Sequence, residues 1–311
     1  MSEKFDFSPA PWIPFRDKKV LEKCRNIKRE DMEKHPNPDF KIRVVEDVTS
    51  LFVADFFHRI YMSDVTDTRF TAIFPNPWPA AYQNVARLCN RFGVSARNVH
   101  TFNMDEWADD DGNVAPLSYK PGLGHAFKKY FYGTLDPENR PPEENIHYIC
   151  NENVNDYSNI IEDIGGGGAD MCYSATGWPG HIAFIDPHTE EFKADSIEEF
   201  VKLGSRIVTC HPLTVAENSL FSCYGCSGDV AAVPWRAATI GPRDVANARN
   251  RFEMHSLVEM GGINSWQRMI SRLTLYGPVT MQTPASIIQM FKTSVFVSED
   301  IARPFTYMDG I

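Results

Sequence analysis

The sequence predicts an α/β fold, a largely parallel sheet with helices on both faces. Three observations carry it. From Lys41 onward, short apolar segments of strand character alternate with stretches of helical spacing. One of them, ADMCYSA (169–175), is of the buried type and is flanked by glycines, as in strands covered on both faces. The chain has 311 residues, 43% hydrophobic and 23% charged, enough to bury a large core without disulfide or metal staples. Together they predict a Rossmann-like single domain over 41–311, with an N-terminal arm over 1–40.

The arm is rich in proline and charge and carries one short helix within 19–32. KIRVVED (41–47) reads as a strand. A helix follows over 48–63, with Val48, Leu51, Phe52, Ala54, Phe56 and Ile60 on one face. RFTAIFP (69–75) is a strand ending in a proline cluster, and 80–92 is helical again. NVHTFNMDEW (98–107) reads as one strand ending in acids. After the polar loop DDDGN come a helix over 122–132, a strand IHYIC (146–150), a helix near 154–163 and the buried strand. Ligands of such sheets bind beyond the carboxyl ends of strands, so 75–79, 103–107 and 177–187 are the segments to watch.

Lys and Arg number 31 against 41 Asp and Glu, a formal charge of -10. This opposes a nucleic-acid or anionic-membrane partner. No apolar run is long enough to span a membrane, and the N-terminal segment lacks the order of a signal peptide. Seven scattered cysteines, an odd number, point to a reduced, cytoplasmic protein.

Two constellations could carry chemistry. Asp105 and Glu106 follow a strand, where a carboxylate can serve as a base; the plainer reading is an acidic loop continuing into Asp109, Asp110 and Asp111. In GHIAFIDP, His181 follows Gly180 and precedes Asp186 by five residues. A carboxylate meeting that imidazole would fix its tautomer and raise its basicity; the plainer reading is a structural histidine at a turn. There is no G-x-S-x-G elbow for a serine hydrolase. Cys223-Tyr-Gly-Cys226, with Cys210 and His211 upstream, is a weak metal signal, and no metal is expected. The glycine run 165–168 fits no nucleotide fingerprint.

TFNMDEW (101–107) combined with GGADMCYSATGWPGHIAFIDP (167–187) resembles the glucosamine-6-phosphate deaminase/isomerase family, whose members carry F-N-M-D-E-Y and then G-x-G-x-[DN]-G-H-I-[AG]-F-N-E-P. HPLTVAENSLF (211–221), VPWRAATIGPRDV (233–245) and TPASIIQ (283–289) are weaker matches, and the resemblance covers about 41–292. The sister 6-phosphogluconolactonases share the fold but carry D-E-R and G-H-T-A-S-L-F-P; this sequence sides with the deaminases at both points. The resemblance implies that Asp105 shuttles a proton from C2 to C1 of a sugar, with Glu106 as the neighbouring acid. It implies that His181 opens the ring, oriented by Asp186, and that ammonia leaves without metal or organic cofactor. Family members are often oligomers, so a homo-oligomer is one expectation.

The departures are equally informative. The family's phosphate loop is replaced by Pro75-Asn76-Pro77-Trp78-Pro79, where Pro77 and Pro79 lack amide donors. The phosphate arginine of N-S-R-F is Leu220, the phosphate lysine has no counterpart in GGINSWQ, and the acid or amide two before the histidine is Pro179. Trp78 and Trp178 flank the expected pocket, and aromatic faces suit the C–H faces of sugar rings. The expected ligand is therefore an amino sugar, glucosamine 6-phosphate-like or unphosphorylated, touched by Asn76, Trp78, Trp178, Gly180 and Arg236. Arg236, Arg243 and Arg268 are the cations that could restore a phosphate grip. The alternatives are a sugar-lactone hydrolase, or a non-catalytic sugar-binding protein that kept the fold.

Overall fold

In the computed structural model, which describes residues 6–75, 77–259 and 262–305, the chain opens with helix α1 (Lys18–Arg25), capped by the Asp17 carboxylate on the amides of Lys19 and Val20. The helix expected over 19–32 stops at Asn26, and only a 3-10 turn, Arg29–Asp31, follows. The arm is sewn onto the domain. Leu21 and Cys24 pack on Ile270 and Leu273, and Met32 enters the main core. The guanidinium of Arg272 donates to the carbonyls of Ile27, Ala302 and Arg303, tying arm and C-terminal segment together.

Strand β1 (Phe40–Val45) leads into α2 (Val48–Thr66), capped by Asp47, then β2 (Phe70–Phe74), α3 (Pro79–Phe92) and β3 (Val99–Asn103). The single strand expected over 98–107 breaks at Met104, and β4 (Asp105–Ala108) leaves for another sheet. Helix α4 (Leu123–Phe127) continues as a π-turn to Tyr132, and β5 (Ile146–His147) is shorter than expected. Then come α5 (Tyr157–Gly165), β6 (Met171–Ala175), α6 (Ile197–Phe200), β7 (Arg206–Thr209), α7 (Pro212–Ser219), β8 (Arg236–Thr239) and α8 (Pro242–Asn247). Strand β9 (Asn250–His255), the short pair β10 (Val258–Glu259) and β11 (Gly262–Ile263), α9 (Gln267–Tyr276), β12 (Thr293–Ser298) and α10 (Glu299–Ala302) complete the order.

Seven strands form one parallel sheet in the order β1-β12-β9-β6-β2-β3-β5. Alternate residues of its central strands enter different cores. Ala72 and Phe74, and Met171 and Tyr173, join one cluster, while Ile73 and Cys172 join the other. Helices therefore cover both faces of one α/β domain, as the sequence predicts. The first cluster is aromatic, with Phe52, Phe56, Phe74, Tyr82, Phe127, Phe131 and Tyr173 in edge and offset contacts. Burying each such ring contributes roughly 1.5–3 kcal/mol. A second sheet, antiparallel in the order β4-β8-β7, stands beyond the carboxyl ends of the main sheet, with Asp105 opposite Thr239. No helix among the described residues is long and apolar enough to cross a membrane.

Candidate active site

Strands β2, β3 and β6 end side by side, so the segments following them converge. Pro75, Met104, Asp105, Ala175, Thr176, Gly177 and His181 line one cavity of about 90 Å³, closed by Glu217, Asn218, Phe221, Trp266 and Gln267. Asp105 is 5% exposed, and its Oδ1 has no hydrogen-bond partner among the described residues. Burial, reinforced by the neighbouring charge of Glu106, pushes its carboxyl well above the usual range, with His181 pulling the other way.

Glu106 points elsewhere. Its oxygens accept from the amides of Trp107 (2.9 Å), Leu123 (3.0 Å) and Gly124 (2.7 Å), so it caps the start of α4 and does not line the cavity. Burial raises it to about 6 despite those donors. The two acids share a strand, and strand geometry sends neighbours to opposite faces.

His181 sits in the turn after β6. Gly180 adopts φ +91° there, a conformation that side chains rarely take. Ala183, which also lines the cavity, sits at φ +51° with only a methyl group to accommodate. His181 Nδ1 lies 2.5 Å from Asp186 Oδ1, the direct pairing that the motif predicts. Asp186 in turn accepts from the Thr214 hydroxyl (2.8 Å) and the His211 amide (2.6 Å), both at the start of α7. The last turn of the same helix brings Glu217, which sequence reasoning missed, to 2.9 Å from His181 Nε2. Burial lowers the imidazole's pKa, but Glu217 and Asp186 outweigh it and raise His181 to about 10. The ring is thus an imidazolium held between two carboxylates.

Behind the cavity, the hydroxyls of Ser174 and Thr176 both donate to Glu253, a fully buried acid that burial raises to about 7. Gln267 donates to the Thr176 carbonyl (2.6 Å) and accepts from Ser271 (2.9 Å). This polar web fixes the end of β6 against the start of α9.

The expected binding residues fare differently. Asn76 lies outside the described residues. Trp78 is core, not pocket wall: it begins α3 with its ring stacked on Phe52, centroids 4.8 Å apart. Trp178 stands beside the cavity, stacked on Trp266 at 6.1 Å, and its amide donates to Glu217; Trp266 is the tryptophan that lines the space. Gly180 shapes the turn and its carbonyl accepts from the Ala285 amide. Arg236 points away, donating to the Asp110 carbonyl and lying over Trp235. Arg243 bonds Asn159, and Arg268 bonds the carbonyls of Arg303 and Pro304. Leu220, at the end of α7, is not among the lining residues. None of the lining side chains among the described residues is a lysine or arginine.

A buried carboxyl and a histidine paired with two carboxylates stand together at the carboxyl edge of the parallel sheet, an arrangement able to take and return protons. No family model matches the sequence. Over 229 residues, 71% of this chain and 74% of the relative, it is 29% identical to the glucosamine-6-phosphate deaminase of Phocaeicola vulgatus. A monomeric glucosamine-6-phosphate deaminase superposes with a TM-score of 0.66 at 18% identity, covering 85% of this chain and 99% of that one. The 6-phosphogluconolactonase of Trypanosoma cruzi superposes with a TM-score of 0.59 at 12% identity, covering 88% and 100%. The chain is similar to the glucosamine-6-phosphate deaminases in sequence and shares their fold with the lactonases, so the resemblance drawn from its motifs holds.

Proposed function

We propose that this chain is an isomerase and deaminase of an unphosphorylated amino sugar of the glucosamine type. One observation carries the reading. Asp105, with one oxygen unpartnered among the described residues, faces the same cavity as the His181–Asp186 pair, and no lysine or arginine among the described residues lines it. His181, oriented by Asp186, supports ring opening. Asp105 then removes the C2 proton and returns it to C1. The C2 imine so formed takes up water, releases ammonia and leaves a ketose. No metal or organic cofactor enters these steps. An ammonium at C2 favours the ionised form of Asp105, which burial disfavours, so an amine-bearing substrate prepares its own base.

A phosphate group suits this site poorly. It carries nearly two negative charges, and burying it without donors costs several kcal/mol. The one cation among the described residues of the cavity, His181, has both ring nitrogens already paired with Asp186 and Glu217 and offers no open donor. Lactone hydrolysis is the second reading, favoured by the likeness to solved lactonases. It is the weaker one, because activating water needs a neutral imidazole and His181 is raised to about 10. With all seven cysteines free, we place the reaction in the cytoplasm.

Calorimetric titration with glucosamine and glucosamine 6-phosphate, at two salt concentrations, tests the substrate class. Glucosamine is expected to bind at least about tenfold more tightly, a difference of about 1.4 kcal/mol. Tight, salt-sensitive binding of the phosphate form would return the chain to its relatives' substrate.

A further inference from the structure

His181 has no nitrogen left for a sugar. Its Nδ1 is taken by Asp186 and its Nε2 by Glu217 at 2.9 Å. Glu217 has room: a carboxylate offers about four lone-pair sites. Among the described residues it uses one for His181 and one for the amide of Trp178. Its side chain is 4% exposed, and it lines the same cavity as Asp105.

Two further features are built around this contact. Helix α7 spans the histidine, anchoring Asp186 through Thr214 and the His211 amide at its start and presenting Glu217 in its last turn. Thr214 and Glu217 are three residues apart and so share one helix face. Gly177 supplies the space: a Cβ there would collide with both His181 Nε2 and Glu217 Oε1, although the glycine has no positive φ.

We infer that Glu217 is the group that exchanges a proton with the sugar during ring opening, with His181 as its relay and Asp186 as the anchor. This rests on the amino-sugar reading above. Glu217 takes the proton of the anomeric hydroxyl. The freed O1 electron pair forms the C1=O1 bond, the C1–O5 bond breaks, and its electron pair stays on O5. The proton, held by the Glu217–His181 pair, then passes to O5. One proton moves from O1 to O5, and no other reactant is consumed. Asp105 on β4, and Cys210 and His211 ahead of α7, are the other titratable groups within electrostatic range of this relay.

The test is Glu217→Gln, which keeps the volume and an acceptor for the Trp178 amide. Two substrates separate ring opening from proton transfer at carbon: glucosamine, and 2-amino-3-hydroxypropanal, an amino aldehyde too short to close a sugar ring. On glucosamine the variant is expected to lose about 10²–10⁴ in turnover, while on the acyclic aldehyde it stays within about threefold of the parent. In parallel, the His181 ring-proton NMR signal, expected to titrate near 10 in the parent, should move down by about one unit or more on substitution. Glu217→Asp is expected to restore part of the glucosamine turnover, and serves as the test protein if the Gln variant fails to fold.

Equal losses on both substrates, or full activity on glucosamine, would overturn the role of Glu217. So would a His181 titration that the substitution leaves unmoved. If the parent released ammonia from neither substrate, the amino-sugar reading itself would fall, and the NMR titration would still report whether Glu217 holds the proton on His181.

Discussion

Asp105→Asn is expected to abolish ammonia release and leave the sugar bound. The amide has the shape of the carboxyl but cannot accept the C2 proton. Loss of a positioned base costs about 10²–10⁴ in rate, and the cavity's other carboxylate, Glu217, is tied to His181 and the Trp178 amide. Glu106, the neighbour in sequence, is fully engaged by the amides of Trp107, Leu123 and Gly124. Folding should not suffer. Asp105 is buried without a partner on Oδ1, and burial already opposes its charge, so a neutral isostere is neutral to stabilising. An ammonia assay, a melting curve and a binding isotherm check all three statements. Residual activity within tenfold of the parent would remove Asp105 from the chemistry.

Asp186→Asn should cost about two to four powers of ten, as loss of an orienting carboxylate does elsewhere, and most of all at high pH. The sign follows from His181. Its imidazolium is maintained to about 10 by Glu217 and Asp186 together. Without Asp186 the midpoint falls toward the ordinary value of 6.5, so the charged form is lost as pH rises through neutrality. An amide can also donate to Nδ1 and select the wrong tautomer. Turnover measured between pH 6 and 9 should therefore show an alkaline limb displaced downward, with the smallest deficit at the acid end. A uniform loss with an unshifted limb would mean that Asp186 shapes the turn without acting on the imidazole.

The parallel sheet was legible because its strands are short apolar segments set between helical patterns, and the acids closing NVHTFNMDEW marked 103–107 as lying at a strand end. The break at Met104 was not. TFNMDEWA is continuous in strand character, and only the antiparallel pairing of Asp105–Ala108 with Arg236–Thr239 pulls it out of the first sheet. Trp78 looked like a sugar platform because it lies among prolines at a strand end. Which way an aromatic points at a helix start is decided by a partner remote in sequence, here Phe52.

Glu217 escaped for a similar reason. It meets His181 across 36 positions, and that contact exists only once α7 docks across the turn after β6. The trace it left was the spacing of His211, Thr214 and Glu217, a helix cap followed by two polar residues on one face. The His181–Asp186 pairing, five residues apart in one turn, needed no tertiary docking to be foreseen.

Ammonia and ketose formation by the parent protein, measured side by side on glucosamine and on glucosamine 6-phosphate, tests the central claim most directly. A cavity furnished by Asp105, His181 and Glu217, with no lysine or arginine among the described residues of its walls, predicts release of one ammonia per ketose from glucosamine, with kcat/KM at least about tenfold above that of the phosphate form. Efficient turnover of glucosamine 6-phosphate with glucosamine inert would contradict it.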